Sequence, residues 1–498
     1  MVQVRLGCPD HSNPAPRTPN IMPMDARPPL HAMWFRNDLR ILDNPALQAA
    51  CSSGSKVLAI YLYTPDQHKL HHAGDTKLRF VLENAVSLRR DLEQAGITFA
   101  ALRCTTYSDS VNALVKLCKH HNVTRVFANR EMELNEIRRD RSAQQALAAA
   151  GTELQFSHDQ TLLKPGSVLT GAGTPFKVFS AFKRAWLKDI SNCELTPFSA
   201  PKKQTPVEMD STAEEEILSW APKQPANQWW PAGSQVAQQQ LDSFVQRSIE
   251  QYKETRDTPS IDGTSRLSPY LAVGALSLRR CFYEALLANN MEWDSGSVGI
   301  RTWINELIWR EFYKHLTCLN PDLSKGCAFQ PKTEAIPWLH DRQRLQCWQQ
   351  GKTGYPLVDA GMRQLNETGW MHNRLRMVTA MFLTKHLFVN WRLGEAYFMQ
   401  KLVDADFSAN NGGWQWSAST GADAVPYFRV FSPQRQSERF DSDGDFIRQW
   451  VPELSTLNSK QIHNPSAAQR EACGYPAPIV DHKTAVDQVK AAFKDQLN

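Results

Sequence analysis

Residues 56–105 read KVLAIYLYTPDQHKLHHAGDTKLRFVLENAVSLRRDLEQAGITFAALRCT. Lys56–Tyr63 is a short apolar run rich in β-formers, and Thr98–Thr105 is another. Between them Asp75–Gly96 places Leu78, Val81, Leu82, Ala85 and Leu88 at the spacing of one helical face. Gly96 stands where that helix would stop, and Gly151 marks a second stop. His31–Phe35 before this unit and Arg125–Asn129 after it have the same strand character. Strand, helix, strand, helix over residues 31–150 predicts a doubly wound parallel sheet covered on both faces. No G-x-G-x-x-G follows the first strand, so the dinucleotide fingerprint is absent and any cofactor is held by other means.

The pattern changes twice farther on. Residues 157–235 are rich in Gly, Pro and Lys, with an acidic knot at Glu214–Glu216 and then Trp229-Trp230-Pro231. They read as a long connector with one short helix near Phe179–Lys188. From 236 helical periodicity dominates, as in Trp303–Leu316, Leu357–Leu365 and Gly369–Leu387, with no convincing strand series. The expected division is a flexible extension (1–30), an α/β domain (31–156), the connector (157–235) and an all-helical domain (236–498). The helical domain holds 10 of the 15 Trp residues.

Composition narrows the functional classes. A net charge of +5 over 498 residues, with acids and bases interleaved, excludes a protein that coats nucleic acid through bulk charge but leaves room for a local basic face. The ten cysteines are scattered singly, with no C-x-x-C pair and no metal-ligand spacing; this fits reduced thiols inside a cell and predicts no metal site. No run is apolar enough to span a bilayer. The first thirty residues lack the apolar stretch of a secretory signal, and Asp10 and Asp25 weaken an organelle-transit reading.

The chemistry gathers on four segments. Residues 404–423, DADFSANNGGWQWSASTGAD, put Trp414 and Trp416 behind what reads as a turn, Asn410-Asn411-Gly412-Gly413. Neighbours at i and i+2 cannot share a helix face, so the two rings must look into different surroundings. The ordinary reading of one Trp is core packing; two rings beside paired acids, amides and glycines suggest an aromatic ligand. On the helix around Trp303, Glu306 shares a face with Trp303, Trp309 and Arg310. Taken alone, that is an exposed Glu–Arg pair beside a core ring. A second stripe, Trp370, Asn373, Arg374 and Met377, makes a poor core face, because its polar heads would need buried partners. Lastly, Gly263-Thr264-Ser265-Arg266-Leu267-Ser268, with Tyr252 and Arg256 upstream, is either a simple N-cap or a phosphate cradle.

Together MWFRNDLRILDNPAL (33–47), GTSRLSPYLAVGALS (263–277), WINELIWREFYKHL (303–316), GKTGYPLVDAGMRQLNETGWMHNRLRM (351–377) and the 404–421 segment resemble the photolyase/cryptochrome family, most closely its class I cyclobutane pyrimidine dimer branch. The resemblance implies FAD folded in a U within the helical domain. Tyr252, Thr264, Ser265, Arg266, Leu267 and Ser268 match residues around its phosphates. Trp303, Arg310, Asn373, Arg376, Asp404, Asp406 and Asn410 match other FAD contacts, with Asn410 facing flavin N5. Trp309 and Trp416 match rings that pack on a flipped dimer, Glu306 a carboxylate bonding its edges, and Asn373 and Met377 the pocket lining. Arg256 and Arg374 match DNA contacts near the lesion. Trp414 matches the first ring of an electron path continuing through Trp391 to Trp338 at the surface. His71, Asn135, Glu136 and Lys325 match contacts of a 5,10-methenyltetrahydrofolate antenna, with Ser324 where Cys is expected.

The implied activity is light-driven repair: excited, reduced FAD lends an electron to a cyclobutane pyrimidine dimer in DNA, the two bonds of the ring open, and the electron returns. A poorly stacked dimer costs less to flip, which supplies selectivity. The resemblance implies a monomer working wherever DNA lies in the cell. Two relatives compete within the family. A signalling cryptochrome ordinarily carries Asp or Cys in place of Asn410 and a long tail, whereas about 45 residues follow Leu454 here. A (6-4) photolyase would show a His pair where this chain has Met371-His372-Asn373. Outside the family, the remaining alternative is a nucleotide binder of generic α/β-plus-helical build.

Overall fold

The structure, a computed structural model, describes residues 30–52, 54–223 and 228–497, with side chains through residue 494. The expected N-terminal extension, apart from Leu30, lies outside the described residues. Strands β1 (Leu30–Phe35), β2 (Lys56–Tyr63), β3 (Thr98–Arg103), β4 (Val123–Asn129) and β5 (Glu153–Ser157) form one sheet in the order β3-β2-β1-β4-β5. Every pairing is parallel. β1 is buried throughout and β2 nearly so, as a sheet covered on both faces requires. β5 escapes the sequence reading because it is a five-residue edge strand with Glu153 and Gln155 exposed and only Leu154 fully buried. Helices α1 (Asp75–Gln94), α2 (Tyr107–His120) and α3 (Leu134–Ala149) link β2 to β5. α1 stops where expected: Gly96 has φ +71°, and a Cβ there would lie 2.1 Å from the Gln204 carbonyl of the connector.

In open α/β sheets ligands favour the crevice where strand order reverses, here between β1 and β4. Side chains fill it. Arg36 lies over the Trp34 ring at 4.6 Å and pairs with Asp140, Arg139 pairs with Glu131 at 2.7 Å, and Asn129 donates to Asp38 at 2.6 Å. The ligand-sized space of this domain therefore opens farther out, where α3 faces the helical domain.

The connector carries α4 (Phe179–Ile190), whose Phe182, Trp186 and Ile190 point inward at helical spacing. Full burial of a Phe or Ile side chain contributes about 2 kcal/mol. Past α4 come α5 (Ser268–Val273), α6 (Val298–Leu319), α7 (Arg342–Gln349), α8 (Asn373–Met381), α9 (Trp391–Lys401), α10 (Phe407–Ala418) and α11 (His482–Leu497). Among the described residues no strand follows β5. The two domains are tied by Leu39 N–H to Val273 O at 3.2 Å, by Lys314 to Glu133 at 3.1 Å, and by Lys77 donating to the Ala405 carbonyl.

Two sequence expectations are corrected here. Asn410–Gly413 is not a turn: it lies inside α10, which Asp406 starts by accepting from Ala409 N–H at 3.0 Å. Trp370 is not on a helical stripe with Asn373, because α8 begins only at Asn373, with His372 as its N-cap. That helix also ends early, at Met381, and Phe382–His386 continues as a π-helical turn.

Candidate functional site

α6, α8 and α10 enclose a cleft of about 500 Å³. α6 contributes Trp303, Glu306, Trp309 and Arg310; α8 contributes Asn373, Arg374, Arg376 and Met377. Residues 404–417 add Asp404, Asp406, Asn410, Trp414 and Trp416, and Tyr252, Arg256, Ser265 and Ser268 close one end. The structure thus brings most of the sequence-derived residues into one space. Thr264, Arg266 and Leu267 stand outside its lining: Leu267 packs in the core, and Arg266 pairs with Asp262 at 3.0 Å.

The charges in the cleft are paired in a definite order. Glu306 does not pair with Arg310, as a helix-surface pair would; it accepts from Arg256 at 2.5 Å. Burial works against charging Arg256, but Glu306 outweighs it and raises the guanidinium pKa. Arg374 pairs with Asp257 at 2.8 Å, and Arg376 with Asp404 at 2.7 Å. Asp406 takes Arg310 at 3.1 Å and Lys314 at 2.9 Å. Burial opposes its ionisation, yet those two cations hold the Asp406 carboxyl far below the usual carboxylate range.

A second cavity, about 410 Å³, lies between the domains. It is lined by His71, Asn135, Glu136 and Lys325, with Ser324 beside them. Glu136 accepts from Tyr107 OH at 2.7 Å, while its Oε2 is buried without a partner among the described residues. Burial, then Glu133 and Glu131, push its pKa up to about 7. Leu271, Arg310 and Asp406 line both cavities, so one wall separates them.

Comparison with known proteins decides what these cavities belong to. Residues 31–203 match the DNA photolyase family model, and residues 303–495 match the FAD binding domain of DNA photolyase. A deoxyribodipyrimidine photo-lyase of Vibrio cholerae is 44% identical over 467 residues, covering 91% of this chain and 97% of that one. The chain belongs to the DNA photolyase family. Among solved structures, a class III photolyase from Agrobacterium tumefaciens superposes with a TM-score of 0.82 at 32% identity, covering 96% of this chain and 100% of the other. A Synechocystis cryptochrome gives the same TM-score at 28% identity, covering 93% and 99%. As a photolyase this is an FAD-dependent enzyme of light-driven DNA repair.

The cleft fits the flavin this photolyase requires. Asp404 Oδ1 and Trp414 Nε1 are both buried with no partner among the described residues, one an acceptor and one a donor. Asn410 donates its NH₂ to the Glu395 carbonyl at 3.0 Å, which leaves its amide oxygen as a free acceptor at the cleft. A Cβ on Gly413 would meet nothing within 4 Å, so the backbone of α10 is open to a flat ring. On this helix Trp414 and Trp416 project about 200° apart. Trp414 is 2% exposed and Trp416 half-buried.

The rings of the expected aromatic path have one neighbour not expected from sequence, and one of them is more buried than expected. Trp414 makes ring contacts with Phe398 at 4.9 Å and with Trp348 at 5.9 Å. Trp348, on α7, is a buried ring that sequence reasoning passed over, since a lone Trp in RQRLQCWQ carries no signal. Trp391 is buried beneath the Arg392 guanidinium, 4.6 Å away. Trp338 is not at the surface: it is 8% exposed, with Phe493 of α11 edge-on to it at 6.1 Å. Glu395, Lys314 and Lys77 were also missed, because their roles depend on partners far away in sequence.

Proposed function

We propose that this photolyase splits cyclobutane pyrimidine dimers flipped out of DNA into the cleft. The observation that carries the reading is the single space lined by Trp309, Trp416 and Glu306 together with Asn410, Arg376 and Asp404. Bound and reduced, FAD supplies an electron to the dimer on absorbing light.

The chain's own groups do the rest. Trp309 and Trp416 offer flat apolar faces to a lesion that stacks poorly in the duplex, which lowers the cost of extruding it. Glu306, held in place by Arg256, presents carboxyl oxygens to the N–H edges of the dimer, and Asn373 and Met377 complete the lining. Arg256 and Arg374 line the cleft, where contacts to DNA phosphates add affinity that falls with salt. Asp404, paired with Arg376, and Asp406, paired with Arg310 and Lys314, would hold the polar edge of the flavin, and Tyr252, Ser265 and Ser268, with Thr264, Arg266 and Leu267 of the same run behind them, would hold its phosphates. Asn410 would offer its amide oxygen to N5 of a bound flavin, favouring the protonated, reduced ring. Trp414, Trp391 and Trp338 form the path that refills the flavin with electrons. The interdomain cavity takes 5,10-methenyltetrahydrofolate as antenna through His71, Asn135, Glu136 and Lys325. The protein acts as a monomer, wherever DNA is found.

Illuminating chemically reduced protein with oligonucleotides carrying either a cyclobutane dimer or a (6-4) product tests this directly. Blue-light-dependent loss of the cyclobutane dimer is the expected result. Repair of the (6-4) product alone, or of neither, overturns the reading.

A further inference from the structure

Phe179, the first residue of α4, lies face to face with Trp309: the ring centroids are 3.7 Å apart and the planes 6° from parallel. Aromatic pairs left to themselves prefer offset or edge-on arrangements at 4.5–7 Å. A centred stack this close is therefore imposed by what holds the two rings. α4 is fastened to α6 by Trp186 Nε1–H donating to the buried Glu311 at 3.0 Å, and by Phe182 packing on Phe312 at 5.2 Å. On the other side, the Lys177 carbonyl accepts from Asp423 N–H at 2.8 Å. Asp423 belongs to the loop after α10, and that loop is tied back by Val425 N–H to the Trp416 carbonyl at 3.2 Å. The short run 177–179 thus grips both helices that present tryptophans to the cleft, although Phe179 itself does not line it.

We infer that Phe179 is a positioning residue for lesion recognition: it seals one face of Trp309 and fixes the plane of the ring, so that a flipped pyrimidine pair can stack only on the other face. The inference rests on the reading of Trp309 as a lesion platform. Without Phe179 the indole keeps rotational freedom that binding must remove, and its rear face is open to water. Ordering one such side chain costs about 0.5–1.5 kcal/mol. Undamaged duplex, which does not enter the cleft, makes no use of the platform. The effect therefore falls on discrimination and not on DNA affinity in general.

The test is binding in the dark by flavin-loaded protein to a duplex with one cyclobutane dimer and to the same duplex undamaged, with flavin absorbance as the check on folding. Phe179→Ala is expected to weaken binding to the damaged duplex roughly two- to tenfold and to leave the undamaged one unchanged. Phe179→Tyr, which keeps a flat ring, should restore the wild-type ratio; Phe179→Leu, which keeps bulk without a ring, should not. A wild-type ratio in Phe179→Ala, or equal loss on both duplexes, overturns the role of Phe179. Trp309→Ala separates the two levels of the argument. If it leaves the ratio intact, the platform reading falls and this inference falls with it. If it lowers the ratio while Phe179→Ala does not, only the Phe179 inference falls.

Discussion

Single side chains set the polarity of both cavities. Glu306 is the clearest case, since Arg256 donates to it at 2.5 Å and fixes the carboxyl at the cleft. Glu306→Ala is expected to retain FAD but to lower repair per absorbed photon. Losing a charged hydrogen bond of about 1.5–3 kcal/mol should weaken dimer binding on the order of 10- to 100-fold. Photon-counted repair assays and dark binding check both, and unchanged values remove Glu306 from the site. Glu136 behaves differently. With its pKa pushed up to about 7, it passes from acid to carboxylate across neutral pH. A folate ring edge that donates N–H groups is held better by the carboxylate, so antenna affinity should rise between about pH 6 and pH 8. Glu136→Gln should abolish that slope, as measured by fluorescence of the bound folate.

At the scale of elements, α10 carries the most contrast. Its two adjacent glycines serve opposite ends. A Cβ on Gly412 would sit 2.2 Å from the Tyr313 ring of α6, so Gly412→Ala is expected to destabilise the fold by about 1–3 kcal/mol. Gly413 faces open cleft, so Gly413→Ala should raise helix stability by about 1 kcal/mol while weakening flavin binding. Thermal melts and FAD titration of the apoprotein distinguish them. The same helix explains what could be read from sequence and what could not. Asn-Asn-Gly-Gly has the chemistry of a turn, whereas the Asp406 cap starts a helix ahead of it and Tyr313 packs close against Gly412. The split between Trp414 and Trp416 survived that error, because i and i+2 diverge in a helix as well. β1 to β4 were legible from their apolar runs, whereas β5, half-exposed at an edge, was not. Trp370 was placed one turn too far along because the His372 cap is a local contact that helical periodicity does not reveal.

Across the whole molecule, the C-terminal helix α11 closes the far side of the helical core. Phe493 packs on Trp338, stacks on Tyr427 at 5.6 Å, and lies 4.0 Å from Lys385 Nζ. Burial lowers the Lys385 pKa from 10.5 to about 7. Between those values the unfolded chain holds a proton that the folded one releases, so stability rises with pH across that window and reaches its low plateau below about pH 7. Lys385→Met should flatten the slope, as read from denaturant midpoints at a series of pH values. Ring contact between Trp414 and Trp348 gives the electron path a second candidate relay. Trp348→Phe is expected to slow light-driven reduction of bound FAD, and an unchanged rate leaves Trp391 as the relay. The party wall of Leu271, Arg310 and Asp406 has a thermodynamic consequence. Any shift of that ion pair when one chromophore binds is felt in the other cavity, and linkage requires the effect to be mutual. Whatever factor the antenna applies to flavin affinity, flavin must apply to antenna affinity. Titrating either ligand in the presence and absence of the other measures that single coupling constant.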